Sequence, residues 1–391
     1  MRLLIAGGGT GGHIYPALAV ARSLRAPTPA VEDAAGGDVP ELLWVGGHRG
    51  LEGSVVRAAG IPFSRLVLRS LRSVERDANL VLDPVRLGAS VPQATAILAR
   101  YRPAAIFTTG GYVAIPILMA AAALRIPVVL WEGNVVPGRS VRATARLAGV
   151  FAVSFTATCR ALPTSAPCFR TGTPIRDLAS IDRAAARLHF GVPADAGLLL
   201  VFGGSQAVRR FNAAVAEALP ALVERRHVIH VTGDEGYAAA LAGREDLPAA
   251  LRERYRPFPF LRDDMGLALA AADLVVGRAG SSTLAEVTAL GVPMVVVPYP
   301  HAAGHQLANA RVLADAGAAR LIHDEAFDPA ALLTASALID DRATYSRMAA
   351  AAKSLGRPGA AAAVAALVRA VAEGRQLPDG DAIERLARGA A

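Results

Sequence analysis

Leu3-Leu4-Ile5-Ala6-Gly7-Gly8-Gly9-Thr10-Gly11-Gly12-His13 opens the chain with a short apolar run that breaks into glycine. The run is continuous rather than alternating, as a strand buried on both faces of a parallel sheet reads. The glycines let backbone approach a ligand closely, and a helix start after them favours anions. The pattern begins again at Leu198–Phe202, which runs into Gly203-Gly204-Ser205-Gln206. Further apolar runs lie at Leu42–Val45, Ala105–Thr108, Val128–Leu130, Val228–Thr232, Leu274–Val276 and Met294–Val297, separated by Ala/Leu/Val/Arg stretches of helical character. Strands alternating with helices predict βαβ units and a doubly wound α/β fold. Two starts predict two Rossmann-like domains, over 1–176 and 177–358, joined near Arg170–Asp182. The helical segment from 359 to 391 is expected to pack back on the first domain. Ligands in such sheets bind beyond the carboxyl ends of the strands, so two facing domains would hold substrates in a cleft. Ala26–Pro40 reads as a surface loop and Glu373–Ala391 as a peripheral tail with one short helix.

Composition narrows the function. The 391 residues carry 41 Lys+Arg against 33 Asp+Glu, a formal charge of +8, and 53% are hydrophobic. That apolar content excludes a disordered chain. The positive charge admits nucleic acid, phosphate-bearing ligands or an anionic membrane as partners. No helix-turn-helix, zinc-finger or RNA-binding aromatic motif is present, and aromatics are only 5%, so nucleic acid is the weakest of the three. Cys159 and Cys168 are too few for a disulfide scaffold and lack metal-ligand spacing, and read as reduced, inert thiols of a cytoplasmic protein. No secretion signal is expected at Met1–Ala6. Tyr112–Leu124 is apolar but shorter than a bilayer needs, and reads as a buried helix.

The glycine loop Gly7–His13 is compatible with a dinucleotide site by spacing. However, the second strand ends in Gly46-Gly47-His48, without the carboxylate that a ribose requires there. His13 is the sharper residue. A helix N-terminus disfavours imidazolium, so His13 should stay neutral and able to accept a proton. Gly203–Gln206, with Ser205, suits a diphosphate, or is a tight turn with a serine cap. In Arg278-Ala279-Gly280-Ser281-Ser282-Thr283-Leu284-Ala285-Glu286, Thr283 and Glu286 share a helix face. Glu286 then either accepts two sugar hydroxyls or closes a capping box with Thr283. Pro298-Tyr299-Pro300-His301 and Gly304-His305-Gln306 form a stiff loop whose residue types could ligate a metal, but no carboxylate stands beside them. Gly110-Gly111-Tyr112 and Trp131-Glu132-Gly133-Asn134 each end a strand. No Walker lysine loop or serine nucleophile elbow occurs, which removes kinase, ATPase and serine hydrolase readings.

Eight motifs in register resemble the MurG family: Gly8–Pro16, Gly110–Val113, Glu132–Asn134, Gly172–Arg176, Gly203–Gln206, Asp263–Met265, Arg278–Glu286 and His301–Asn309. The family's His-Glu-Gln-Asn reads Trp131-Glu132-Gly133-Asn134 here, and Val141 replaces a usually polar residue. The resemblance implies the two-Rossmann-domain glycosyltransferase fold, GT-B, with no cofactor and no metal in the active site. It implies inverting transfer of N-acetylglucosamine from UDP-N-acetylglucosamine to the 4-hydroxyl of undecaprenyl-diphospho-N-acetylmuramoyl-pentapeptide, in peptidoglycan synthesis. By the same resemblance Thr10, Gly11, Gly12 and Tyr112 belong to the loops touching substrate, and His13 is the general base. Asn134 contacts the donor sugar, Arg176, Ser205 and Gln206 the diphosphate, and the amide near Leu261 the uracil. Ser281, Ser282, Thr283, Leu284 and Ala285 bind the nucleotide with Arg278 nearby, Glu286 takes the ribose, and Gln306 holds the N-acetylglucosamine.

The lipid acceptor implies a peripheral place on the cytoplasmic face of the membrane, beside other cell-wall enzymes. Arg65, Arg69, Arg72, Arg76 and Arg86 around Leu80, Val81, Leu82, Val85 and Leu87 suit an anionic leaflet, or form an ordinary amphipathic helix. A transferase of another sugar or acceptor and a non-catalytic nucleotide-sugar binder are the rival readings. An epimerase on the same fold is the third, and it would need carboxylates around the sugar beyond Glu132 and Glu286.

Overall fold

The structure, a computed structural model, describes residues 1–26, 39–48, 52–68, 79–204, 209–302 and 304–389, with backbone alone for 79–84. The chain forms two compact units, one of Met1–Ile175 with Gly359–Ala391, the other of Arg176–Pro358. In the first, β1 (Arg2–Ala6), α1 (Gly11–Arg25), β2 (Glu41–Gly46), α2 (Glu52–Ala58), β3 (Phe63–Arg65), α3 (Asn79–Tyr101), β4 (Ala105–Thr108), α4 (Ala114–Leu124), β5 (Val128–Glu132), α5 (Arg139–Thr144), β6 (Val150–Val153), α6 (Thr156–Ala161) and β7 (Cys168–Arg170) alternate along the chain. Their sheet is parallel, in the order β3-β2-β1-β4-β5-β6-β7, the Rossmann order with one added edge strand.

The second unit runs α7 (Arg183–His189), β8 (Leu198–Phe202), α8 (Arg209–Arg225), β9 (His227–Val231), α9 (Gly233–Glu245), α10 (Ala249–Arg252), β10 (Tyr255–Phe258), α11 (Met265–Ala271), β11 (Leu274–Gly277), α12 (Ser281–Leu290), β12 (Met294–Val296), α13 (His305–Asp315), β13 (Ala319–Leu321), α14 (Pro329–Ser336) and α15 (Arg342–Leu355). Its six strands are also parallel, ordered β10-β9-β8-β11-β12-β13. The chain then returns to the first unit as α16 (Ala360–Ala372) and α17 (Gly380–Arg388).

Both faces of the first sheet are covered, so its strands carry no polar alternation. Leu3 and Ile5 pack on one side with Ile14, Leu18, Trp44 and Phe107, while Leu4 and Ala6 pack on the other with Ile106, Leu118 and Phe151. Val364, Leu367 and Val368 of α16 belong to the core on the α1 side. Ile383 and Ala387 of α17 join them, so Glu373–Ala391 is no peripheral tail: its helix is amphipathic and buries its apolar side. Arg342–Ala372 has the length and mean hydropathy of a membrane span. It is interrupted at Gly356, where the backbone is extended, and α16 is spent on the core.

Five strands lie beyond the eight expected from sequence. Of these, β3, β7, β10 and β13 are sheet edges of three or four residues, interrupted by Ser64, Arg170, Pro257 or Arg320. The thiol reading of the cysteines is also corrected. α6 packs on β7, which puts the Cα atoms of Cys159 and Cys168 5.9 Å apart, and the two form a disulfide. Most of the surface loop expected at Ala26–Pro40 lies outside the described residues, as do Arg69, Arg72 and Arg76 and the side chains of Leu80, Val81 and Leu82. Nearby, Val67 and Val85 are exposed apolar residues and Arg65 is exposed.

If α16 is a core element, Leu367→Ala should destabilise the first unit by about 2–5 kcal/mol in denaturant titration. A loss below about 0.5 kcal/mol, the range of surface changes, would contradict that packing.

Candidate active site

In the first unit the site grows from the ends of β1 and β4. Gly9 has φ +92°, a left-handed turn open to glycine, and Thr10 caps α1 without a side-chain bond, its carbonyl accepting from the His13 and Ile14 N–H groups. Trp44, buried in the core, donates its Nε1–H to the Gly7 carbonyl at 2.8 Å and pins the loop. His13 is the third residue of α1. Its Nδ1 lies 2.7 Å from the Thr109 carbonyl, at the end of β4, and the Thr109 hydroxyl donates back to the His13 carbonyl at 3.0 Å.

A carbonyl only accepts, so Nδ1 carries the proton and Nε2 keeps its lone pair. Burial pushes the His13 pKa below its ordinary value of 6.5, against the opposing pull of the Glu132 carboxylate and the Thr109 bond. His13 is therefore a neutral base with a fixed tautomer. Gly110 and Gly111 both sit at φ +80°, and a Cβ at Gly111 would stand 3.7 Å from Nε2, so glycine there keeps the approach open.

His13 faces a cavity of about 420 Å³ whose wall includes Gly8, Thr10, Glu52, Tyr112 and Arg139. Of the residues singled out in the sequence, Thr10, His13 and Tyr112 reach it, whereas Gly11 and Gly12 begin α1 just outside its lining. Asn134 does not line it. Its backbone N–H and its Nδ2 both donate to Glu132 Oε1 at 2.9 Å, and Gly138 N–H donates to Oε2 at 2.8 Å. Glu132 is thus a loop staple. Trp131 points into the core and donates to the Gly172 carbonyl at 3.0 Å, and Val141 is buried beside Gly110. Sequence reading missed Glu52 and Arg139. The available signal was their place, each on the first turn of a helix that follows a strand's carboxyl end.

In the second unit the capping-box reading of Glu286 is overturned. Gly280 caps α12, Thr283 lies inside the helix, and Glu286 pairs instead with Arg176, whose Nε donates to Oε1 at 2.9 Å. Burial raises the Glu286 pKa, while Arg176 holds it down. Ser281, Ser282 and Thr283 form the half-buried first turn of α12, and Ala285 is half-buried beyond it, while Leu284 packs inward.

Arg278 is buried, pairs with Asp324 at 2.5 Å, donates to the Val297 carbonyl at 3.1 Å, and lies over the rings of Phe211 and Tyr299. It braces the loops and does not present a free guanidinium. Gln306 Oε1 accepts from the Ala279 and Tyr299 N–H groups at 3.1 and 2.9 Å, which fixes the side-chain amide between the two loops. Leu261, buried, opens the tight turn after β10. Ser205 and Gln206 lie outside the described residues. No three His, Cys, Asp or Glu side chains gather into a metal site among the described residues.

Two Rossmann units, with a neutral histidine in the first turn of a helix on one and a buried carboxylate in the second turn of a helix on the other, define a glycosyltransferase of the GT-B class. The model of the glycosyltransferase family 28 N-terminal domain matches residues 3–152, and that of the family 28 C-terminal domain matches 198–364. The UDP-N-acetylglucosamine–N-acetylmuramyl-(pentapeptide) pyrophosphoryl-undecaprenol N-acetylglucosamine transferase of Moorella thermoacetica is 40% identical over 375 residues, covering 93% of this chain and 97% of its own. The crystal structure of Acinetobacter baumannii MurG matches with a TM-score of 0.73 at 29% identity, covering 94% of this chain and 99% of that one. S. aureus MnaA with UDP gives a TM-score of 0.68 at 13% identity over 95% and 96% of the two chains, a likeness of fold alone. The chain belongs to glycosyltransferase family 28 and, within it, to the MurG family.

The His13 assignment is open to direct reading. Two-bond ¹⁵N–¹H spectra should show a protonated Nδ1, a bare Nε2 and a titration midpoint below 6.5. A midpoint above 6.5, or the opposite tautomer, would remove the neutral base.

Proposed function

We propose that the chain transfers N-acetylglucosamine from UDP-N-acetylglucosamine to the 4-hydroxyl of undecaprenyl-diphospho-N-acetylmuramoyl-pentapeptide, with inversion at C1, in peptidoglycan synthesis. The observation that carries this reading is the His13 imidazole, fixed by Thr109 with its Nε2 lone pair toward a cavity. The first unit holds the acceptor and the second the donor. Deprotonation of the attacking hydroxyl by Nε2 accompanies in-line displacement of UDP, so the base acts where charge develops. His13 starts neutral, and the imidazolium formed is held by the Thr109 carbonyl and the nearby Glu132 charge.

On the second unit, the first-turn N–H groups of α12 and Arg176 face the leaving diphosphate, Glu286 takes ribose hydroxyls, and Gln306 Nε2 takes the sugar. The loops that carry these groups are braced by Arg278 and by Gln306 Oε1. Helix ends and arginine supply the positive field, so the reaction proceeds without a metal. The exposed Val67, Val85 and Arg65 support docking on an anionic leaflet, at the cytoplasmic face where the lipid acceptor is met.

His13→Ala should lower turnover by about 10²–10⁴-fold while UDP-sugar affinity stays near normal, since a base works in the transition state. Near-normal turnover of this variant, assayed with UDP-N-acetylglucosamine and a lipid-diphosphate acceptor, would refute the role. Glu286→Ala should act oppositely and raise the donor KM. Its penalty should shrink for a 2′-deoxyribose donor, which cannot make both bonds. Equal penalties on the two donors would take Glu286 off the ribose.

A further inference from the structure

The cavity of the first unit contains a carboxylate that the reaction above does not use. Glu52, the first residue of α2, is 1% exposed. Its Oε1 accepts from the Gly47 N–H at 3.2 Å, while its Oε2 is buried with no hydrogen-bond partner. Buried carboxylate oxygens are ordinarily bonded, because leaving water without a partner is costly. The surroundings make room for this group. A Cβ at Gly8 would stand 2.7 Å from Oε1, one at Gly47 3.3 Å from the same atom, and one at Gly46 3.1 Å from Cγ. Three glycines at the ends of β1 and β2 therefore accommodate a carboxyl group, although bonding one N–H needs only a neutral acceptor.

The rest of the wall supplies polarity. Arg139 lines the same cavity, is exposed, and has no ion pair among the described residues. One occupant thus meets a cation, a neutral base and a carboxylate. A glycosyl diphosphate has matching chemistry, with its anion on C1 and neutral O–H and N–H donors around the ring.

Resting on the proposed function, we infer that Glu52 recognises the acceptor sugar. Its Oε2 takes a neutral donor of the muramoyl ring, the 6-hydroxyl or the 2-acetamido N–H, and so sets the 4-hydroxyl against His13 Nε2. An ionised carboxylate only accepts, and it turns the anionic end of the acceptor away toward Arg139. The terminal torsion of glutamate is soft, so a small turn of the carboxylate plane brings its unpartnered oxygen toward the cavity within reach of such a donor.

The test is E52Q in the full chain, with acceptor affinity read by calorimetry on water-soluble, short-chain lipid-diphosphate analogues. The acceptor Kd should rise by about 10–100-fold, as loss of a bond to a charged group implies. Donor KM should be unchanged. The melting temperature should not fall, because glutamine keeps the Gly47 bond and removes a buried unpaired charge. A 6-deoxy acceptor and one with 2-acetoxy in place of 2-acetamido separate the two sources. On whichever analogue lacks the recognised donor, wild type and E52Q should bind equally. An unchanged acceptor Kd, a penalty that persists on both analogues, or a lowered melting temperature with normal affinities would overturn the proposal and leave Glu52 as loop support. Tight acceptor binding by a wild-type chain that transfers no sugar would instead contradict the function reading alone.

Discussion

The bond from His13 Nδ1–H to the Thr109 carbonyl, 2.7 Å long, ties the start of α1 to the end of β4. These elements are adjacent only because β4 pairs with β1, in the reversal of order that defines a Rossmann sheet. One bond thereby fixes the loop, the ring orientation and the tautomer. The reciprocal bond from Thr109 Oγ1 and the Trp44 bond to Gly7 hold the same corner from two other sides. The arrangement leaves the Nε2 lone pair for the cavity. Burial favours the neutral ring.

Much of this was legible in the chain. Apolar runs such as Leu3–Ala6 and Leu198–Phe202 declare buried parallel strands, because both faces of the sheet are covered and no polar alternation is possible. A histidine in a glycine loop after such a run is placed at the ligand end by topology alone. The edge strands were not legible, since three residues such as Phe63-Ser64-Arg65 bury little and pair on one side only. Pairings across sequence were hidden too. Nothing local marks Cys159 and Cys168 as bonded, and although 359–391 was expected on the first domain, nothing local marks α17 as part of its core.

The polar residues of the second unit show a related limit. The sequence left Glu286 open between sugar hydroxyls and a capping box, and the resemblance set Arg278 near the nucleotide. In the fold Arg278 is spent on Asp324, Val297 and two aromatic rings, and Glu286 on Arg176. Both outcomes follow from burial, which demands partners for charge and selects whichever cation or anion the sheet brings near. Glu132 behaves likewise, its oxygens taken by the backbone of its own loop. Glu52 departs from this rule by leaving one oxygen unsatisfied.

The central claim is that His13 Nε2 removes a proton from the acceptor hydroxyl. Chemical rescue tests it most directly. A His13→Gly variant opens the space of the ring beside Gly111, and imidazoles of graded basicity can be added to it during transfer. The account predicts recovered turnover that rises with the basicity of the added imidazole, as general-base catalysis requires. Recovery indifferent to basicity, or none with ring-sized bases that demonstrably bind, would contradict it.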